Sequence, residues 1–299
     1  MDAIEITGLT KSFRGLHAVD GLNMTVPVGS IYGFIGENGS GKSTTMKLLC
    51  GHLVPDKGKM KLFGKKYTDP GVRVRVGALI ENAGCFPGSS VYQNLMMQCI
   101  NLGIENPDEE IGRVLQIVRM DEHAQLKFKK CSLGMKQRIG IAMALLGDPA
   151  LLILDEPING LDTDGMRLMR EILVDITQNY HCTVLISSHL LGELEKIATH
   201  YGIIRQGKMI VELSAQQLEG RARVFVSLQT KDMAGAEAVL KRHYSDVRRE
   251  DAFLRVYDEN ESDSIVTLLM QHGHPVSLIR KNKIGLEEYY MEIMSRKES

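Results

Sequence analysis

Residues 36–44 read Gly36-Glu37-Asn38-Gly39-Ser40-Gly41-Lys42-Ser43-Thr44, which fits the phosphate-binding pattern G-x-x-x-x-G-K-[ST]. Glycine has no Cβ, so a loop with three glycines can adopt positive φ angles and approach a ligand closely. Successive N–H groups would then point inward and form a nest for an anion at the N-terminus of a helix. Lys42 would place a charge on the β- and γ-phosphates of a nucleotide. Ser43 would offer its hydroxyl to Mg²⁺, and Thr44 would offer a second hydroxyl near the phosphates.

The residues on either side of this loop predict a strand and a helix. Residues 30–35 form a short apolar run that is typical of a buried strand leading into the loop. Residues 44–50 continue as a helical pattern, and Gly51 is a typical helix stop. A glycine-rich turn that arose by chance would lack this order of strand, loop, Lys-Ser pair and helix.

Two acidic residues follow another buried strand. Residues 151–154 are continuously apolar, as in a strand that is buried on both faces, and Asp155 and Glu156 come directly after them. In a chain with a P-loop, this pair predicts that Asp155 holds Mg²⁺, directly or through water, and that Glu156 polarises the attacking water. Carboxylates suit both roles, because their oxygens are hard metal ligands and proton acceptors.

Helical and strand patterns alternate after the acidic pair. A helical pattern over residues 165–178 is followed by a strand pattern over residues 183–186, which ends in Ser187-Ser188-His189. This alternation predicts a parallel sheet with right-handed crossovers, in which ligands collect at the carboxyl ends of the strands. The P-loop, the acidic pair and His189 all follow strands, so we expect them to lie close together.

The remaining segments predict a main domain and a small C-terminal domain. Residues 3–30 alternate between apolar and polar residues and predict β-structure, whereas residues 87–145 are mainly helical. We therefore expect a main domain over residues 1–220, with the helical subdomain at about 87–145. Residues 221–299 contain strand and helix patterns without a catalytic motif, which predicts a small α+β appendage.

The composition is that of a soluble globular protein. The 299 residues are 43% hydrophobic and 24% charged, and the net charge is −1. Because the chain has no basic stripe or tail, we expect no nucleic-acid partner. Its five cysteines are dispersed without C-x-x-C spacing, as is typical of reduced thiols in the cytosol. The N-terminus does not resemble a signal peptide and the apolar runs are short, so we expect any membrane role to come through a partner.

A further motif points to a family. Residues 131–138 read Cys131-Ser132-Leu133-Gly134-Met135-Lys136-Gln137-Arg138, and this segment resembles the signature motif of ABC transporter ATPases. Asn159-Gly160-Leu161-Asp162 resembles the D-loop of that family, and His189 resembles its switch histidine. With the P-loop and the Asp155-Glu156 pair, five motifs follow one another in the family's order over residues 2–212.

The resemblance implies an α/β fold of the P-loop NTPase class: a mixed, largely parallel core sheet, an antiparallel β subdomain and a helical subdomain. It implies ATP and Mg²⁺ as ligands. It also assigns the stacking of adenine to Phe13, although without the resemblance this residue would be interpreted as a half-buried aromatic residue of a strand. ABC ATPases pair head to tail, so the signature would face the ATP of a second ATPase subunit, identical or related. The signature residues are Ser132, Leu133, Gly134 and Met135, and Asp162 would belong to the D-loop.

Two departures from the common family pattern point to one branch. Most members have glutamine where this chain has Glu81, and Leu133 replaces a glycine of the commonest signature form. With its neighbours in residues 77–82 and 132–138, Glu81 resembles the acidic loop of ATPases from bacitracin-type and lantibiotic-immunity exporters. Glu81 keeps an oxygen for Mg²⁺ or water and adds a charge, so it is a candidate catalytic residue and metal ligand. The alternative is a glutamate that simply faces solvent.

The resemblance therefore implies an ATPase subunit at the cytoplasmic face of the cell membrane, driving export through separate permease subunits, with a peptide antibiotic as the favoured cargo. Export of a drug, a lipid or an ion would keep the ATPase and change only the cargo, which the permease binds. A soluble ABC ATPase acting on ribosomes or DNA usually has two ATPase domains or a long coiled coil, whereas this chain has one P-loop and no heptad run.

Overall fold

A computed structural model describes residues 1–221, 224–250, 252–257, 262–283 and 285–295. It consists of two units, Met1–Ala215 and Gln216–Ser299. The sequence-based boundary lies after residue 220 because Glu219-Gly220 has the composition of a break. In the structure, Gly220 lies inside a helix, Ala215–Arg221, so it marks no break in the chain.

The strands and helices of the first unit mostly coincide with the apolar patterns of the sequence. Its strands are β1 (Asp2–Phe13), β2 (Leu16–Pro27), β3 (Ile31–Ile35), β4 (Lys57–Leu62), β5 (Lys65–Lys66), β6 (Val76–Leu79), β7 (Leu151–Asp155), β8 (Thr183–Ser188), β9 (His200–Arg205) and β10 (Lys208–Ser214). Its helices are α1 (Lys42–Leu49), α2 (Pro70–Arg73), α3 (Val91–Leu102), α4 (Pro107–Ile117), α5 (Leu133–Leu145), α6 (Thr163–Gln178) and α7 (Leu191–Glu195). Helix α8 (Ala215–Arg221) begins at the last residue of this unit, and its other residues belong to the second unit.

The core sheet is largely parallel, which confirms the predicted fold class. Its strand order is β10-β9-β3-β8-β7-β6, and β3, β6, β7, β8 and β9 run parallel, whereas β10 pairs antiparallel with β9. A second, antiparallel sheet has the order β2-β1-β4-β5. The carboxyl ends of β3, β7 and β8 lie side by side, so the loops that follow these strands meet at one edge.

Helix α1 is anchored by its apolar face, which fixes the P-loop that precedes it. Met46, Leu48 and Leu49 are completely buried and belong to the same hydrophobic core as Tyr32 and Phe34 of β3. Burial of a large apolar side chain contributes about 1.5–3 kcal/mol each. The loop is therefore held between a buried strand and a buried helix.

The helical subdomain contains α3, α4 and α5, and capping determines where its helices begin. Ser90 and Gln93 form a capping box at the start of α3. The sequence predicts the last of these helices over residues 136–146, but α5 begins at Leu133, because the Ser132 hydroxyl accepts a hydrogen bond from the Met135 amide. The signature residues are thus the first turn of a helix.

The second unit has the predicted α+β character. Its strands are β11 (Val224–Thr230), β12 (Val247–Glu250), β13 (Phe253–Tyr257) and β14 (Val276–Lys283), and its helices are α9 (Met233–His243), α10 (Ser262–Gln271) and α11 (Leu286–Ser295). The antiparallel order β12-β13-β11-β14, with β-α-β-β-α-β connectivity, is that of a ferredoxin-like fold. The sequence does not predict β12, because Val-Arg-Arg-Glu is short and polar. The sequence predicts the third helix over residues 286–296, and its last residue, Arg296, lies outside the described residues.

The length and hydrophobicity of a helix decide whether it can cross a membrane. A membrane-spanning helix needs about 20 predominantly apolar residues. In the described parts of the chain, none of the helices meets this requirement for length and hydrophobicity.

Candidate functional site

The P-loop and the acidic pair form one cavity of about 160 Å³. It lies at the carboxyl ends of β3 and β7, where the sequence predicts a ligand site. The residues that line it are Ala18, Asn38, Gly39, Gly41, Lys42, Ser43, Thr44, Asp155 and Glu156. The structure therefore brings together residues that are more than a hundred positions apart in the chain.

Two glycines of the loop are required by neighbouring backbone. Gly41 has φ of 110°, and a Cβ there would clash with the carbonyl oxygen of Ala18. A Cβ at Gly36 would clash with the carbonyl oxygen of Ile204. The loop is thus pressed against two distant segments, and only glycine permits this close approach.

Lys42 is buried at the base of the cavity. Its Nζ donates to the carbonyl oxygens of Gly36 at 2.7 Å and Glu37 at 3.0 Å. Burial lowers the pKa of Lys42, and the charges of Glu156 and Asp155 oppose this shift. Lys42 thus carries a preorganised ammonium group between loop carbonyls and two carboxylates.

The cavity has the chemistry that a phosphate and a magnesium ion require. In the same loop, although not among the residues that line the cavity, the Ser40 hydroxyl is buried and has no hydrogen-bond partner among the described residues. Ser43 and Asp155 both line the cavity and together offer a hydroxyl and a carboxylate oxygen. Hard oxygen donors of this kind are the ligands that Mg²⁺ prefers, so the residues present fit this ion.

Ser187 contacts the acidic pair, although no motif in the sequence identifies it as a site residue. Its hydroxyl donates to Asp155 Oδ1 at 2.6 Å and accepts from the backbone amide of Glu156 at 2.9 Å. Asp155 and Ser187 face each other in the parallel pairing of β7 and β8. The sequence does show a polar residue, Ser187, at the end of a buried strand. Which residue it contacts depends on the register between β7 and β8.

Glu156 and His189 form a pair at the edge of the cavity. Nδ1 of His189 lies 2.8 Å from Oε2 of Glu156. Glu156 has φ of 51°, a left-handed conformation that is uncommon for a residue with a side chain and occurs often at functional sites. The turn after β7 thus directs the carboxylate toward the histidine that follows β8.

The signature and the D-loop form a separate cavity of about 530 Å³. Ser132 caps α5, and the Asp162 carboxylate caps α6 by accepting from the Gly165 amide at 2.8 Å. Leu133 is half-exposed, and a Cβ at Gly160 would lie only 3.0 Å from its Cδ2. Among the described residues, this cavity has no lining residue in common with the P-loop cavity.

Glu81 and Phe13 lie outside the P-loop cavity. The Glu81 side chain is 64% exposed, and its Oε1 lies 2.5 Å from Nζ of Lys47. It is not among the described residues that line the P-loop cavity. Phe13 ends β1 and is 44% exposed, with Nζ of Lys11 5.5 Å from its ring centroid.

Comparisons with known proteins agree with this architecture. The family model described as ABC transporter matches residues 19–159. The bacitracin transport ATP-binding protein BcrA of Bacillus licheniformis is 35% identical over 298 residues, which cover 97% of each chain. The lantibiotic transport ATP-binding protein SrtF of Streptococcus pyogenes is 36% identical over 222 residues, covering 74% of this chain and 95% of SrtF.

A solved structure supports the fold. CbiO1 from Clostridium perfringens, part of the ABC transporter complex CbiONQ, superposes with a TM-score of 0.67 at 23% identity, covering 81% of this chain and 96% of CbiO1. The motif order, the mixed sheet and the similarity to BcrA over nearly the whole chain lead to one assignment. The chain belongs to the ABC transporter family and is one of its ATP-binding ATPase subunits.

Proposed function

We propose that this chain hydrolyses ATP to drive the export of a peptide antibiotic through separate membrane permease subunits. The main support for hydrolysis is the single cavity in which Lys42, Asp155 and Glu156 meet, with His189 in contact with Glu156. The support for the cargo is the similarity to BcrA and SrtF, whose names record bacitracin and lantibiotic transport.

The nucleotide would bind along the P-loop. Backbone N–H groups of residues 36–44 and the Lys42 ammonium group would hold the phosphates, because both present positive charge to the same cavity. Phe13 would stack on the adenine, since its ring is exposed at the end of β1.

A magnesium ion would be held by Ser43 and Asp155, with Glu81 as a further candidate ligand. When bound, Mg²⁺ neutralises charge on the phosphates and so assists phosphoryl transfer. Ser187 orients Asp155 by donating to one carboxylate oxygen, which leaves the other oxygen free to ligate.

Glu156 would act as the general base. Its carboxylate would accept a proton from the attacking water, and His189 would hold that carboxylate in position from the other side. The constrained turn at Glu156 keeps the carboxylate at the rim of the cavity, where the terminal phosphate would lie.

A second ATPase subunit, identical or related, would complete each site. The signature cavity lies apart from the P-loop cavity within one chain, so one chain cannot place Ser132 or the N-terminus of α5 on its own nucleotide. In a head-to-tail pair, the signature of one subunit would face the ATP of the other, with Asp162 near the interface. The helix dipole of α5 would then favour the negative phosphate.

Permease subunits would bring the chain to the cytoplasmic face of the cell membrane.

We expect survival under peptide antibiotics to depend on Glu81. Glu81→Gln keeps the shape of the side chain and removes its charge, so we expect a modest loss of ATP hydrolysis and a larger loss of survival. Glu81→Ala should be worse in both, because no oxygen remains. The measurements are ATPase activity in membranes containing the permease and growth under bacitracin or a lantibiotic.

The matched control for this experiment is Glu195→Gln, which removes the same charge at an exposed position on α7. It should behave like the parent chain in both assays. If Glu81→Gln also matches the parent, the acidic loop has no role in coupling. Protection against a drug but not against either peptide would instead favour a different cargo.

A shortened chain tests the proposed division into domains. Every residue that lines the two cavities described above lies within the first unit, and the second unit has its own hydrophobic core. A chain ending at Arg221, which keeps α8 complete, should therefore bind ATP about as tightly as the full chain. Calorimetric titration with ATP and circular dichroism would test this. A folded short chain that fails to bind ATP would mean that the C-terminal residues complete the site.

A further inference from the structure

The Glu81 carboxylate forms an ion pair with a lysine of α1, the helix that follows the P-loop. Its Oε1 lies 2.5 Å from Nζ of Lys47, which is in the last turn of α1. Glu81 is not among the described residues that line the P-loop cavity, and it lines a different cavity instead. In this conformation the ion pair therefore keeps the Glu81 carboxylate out of the P-loop cavity.

The backbone at Glu81 has an uncommon conformation. Glu81 has φ of 66°, and the Asn82 amide donates to the carbonyl oxygen of Ile80 at 2.9 Å. A hydrogen bond between residues i and i+2 across a positive φ defines the rarer, more strained kind of γ-turn. Such a conformation persists when contacts around it hold it, and the ion pair to Lys47 is one such contact.

The Glu81 loop also has room to rearrange. A cavity of about 350 Å³ lies beside it, lined by Glu81, Asn82 and Gly84 on one side and by Phe128 and Lys136 on the other. Lys136 is a second cation in this cavity, and its Nζ lies 5.8 Å from the centroid of the Phe128 ring. Lys47 is thus the cation that forms an ion pair with Glu81 in this conformation.

We propose that Lys47 is a positioning residue that holds Glu81 away from the nucleotide, so that Glu81 reaches MgATP only after this ion pair opens. The inference rests on the proposed function, in which Glu81 serves the ATP site. A closed pair reduces the fraction of molecules that can use Glu81, and the apparent affinity for MgATP falls by the same fraction. Removing Lys47 should therefore strengthen MgATP binding.

The test compares KM for MgATP in full-length variants. An exposed ion pair shifts an equilibrium by up to about five-fold, so Lys47→Gln should lower KM about two- to five-fold and leave kcat near that of the parent. Lys47→Arg should keep the KM of the parent, because a guanidinium group can form the same ion pair. Glutamine and lysine have similar helix propensities, so α1 should remain folded.

Salt provides a readout that a purely structural role would not change. Ionic strength screens exposed ion pairs, so raising it from about 0.05 M to about 0.5 M should open the pair in the parent. The ratio of the KM values of the parent and Lys47→Gln should then approach one. Lys66→Gln removes the same charge from an exposed position in β5 and should match the parent at every salt concentration.

A double-mutant cycle with Glu81→Gln tests whether Lys47 acts through its ion pair with Glu81. Lys47→Gln should cause no further change once Glu81 has lost its charge, because the two residues act through one contact. Additive effects, an unchanged or raised KM in Lys47→Gln, or a Lys47→Arg variant that behaves like Lys47→Gln would overturn the inference. MgATP titration by calorimetry gives the same comparison without turnover. If the parent chain binds MgATP but lacks ATPase activity, the proposed function is contradicted. The calorimetric affinities of the Lys47 and Glu81 variants for MgATP would still test the role of Lys47.

Discussion

Glu156→Gln should retain MgATP binding and lose ATP hydrolysis by roughly 10²–10⁴-fold, the range for removal of a general base. The amide has nearly the shape of the carboxylate, so the turn after β7 and the contact with His189 can persist. The phosphate contacts of the P-loop remain, because Lys42 and the loop backbone are unchanged. Only the ability to accept a proton from water is removed.

This result is measured by steady-state ATPase activity together with ATP titration. Because hydrolysis is blocked after binding, the variant should also accumulate an ATP-bound dimer, which size-exclusion chromatography with ATP can detect. Glu195→Gln is the matched control, since it makes the same chemical change at an exposed position on α7. Near-normal turnover of Glu156→Gln would remove Glu156 from the catalytic role.

Lys42→Ala should weaken ATP binding on the order of 10- to 100-fold, with a comparable loss of turnover. Hydrogen bonds to charged groups contribute about 1.5–3 kcal/mol, and each 1.4 kcal/mol is a factor of ten in affinity. The glycines that shape the loop are untouched, so the anion nest should survive and some binding should remain. Because Lys42 is buried, solvent and salt screen its charge only weakly, so the loss of this charge should have a large effect on phosphate binding.

The measurement is calorimetric titration with ATP, with the melting temperature as a check on folding. Lys42 also donates to the carbonyl oxygens of Gly36 and Glu37, so a small decrease in stability is expected. Lys66→Ala is the control for loss of a lysine from the same unit. ATP binding equal to that of the parent would show that the loop is not the phosphate site.

The sequence predicted most of the elements that build the site, because they depend on local patterns. The apolar runs before the P-loop and before Asp155 form β3 and β7. The observed ends of both strands lie within one residue of the predicted ends. The start of α5 was displaced from the prediction, since a capping serine outweighs the apolar pattern. Helix α2 and strand β12 were not predicted, because each is short and carries few apolar residues.

The contacts among site residues depended on strand register and on the approach of distant segments. Ser187 meets Asp155 because β7 and β8 pair in parallel with one register. Glu81 was expected near the nucleotide as part of a resemblance, but its carboxylate lies against Lys47, a contact between α1 and the loop after β6. The need for glycine at Gly41 arises from the carbonyl oxygen of Ala18.

The sequence by itself determined the family motifs, their order and the strand–loop–helix that carries the P-loop. These features are local, since they follow from glycine's freedom at positive φ, from apolar periodicity and from residue type at fixed spacing. The tertiary structure alone decided that Asp155 pairs with Ser187, that Glu156 meets His189, and that the signature cavity lies apart from the P-loop cavity. Those contacts join residues far apart in the chain, and their geometry is fixed only when sheet register and core packing are fixed.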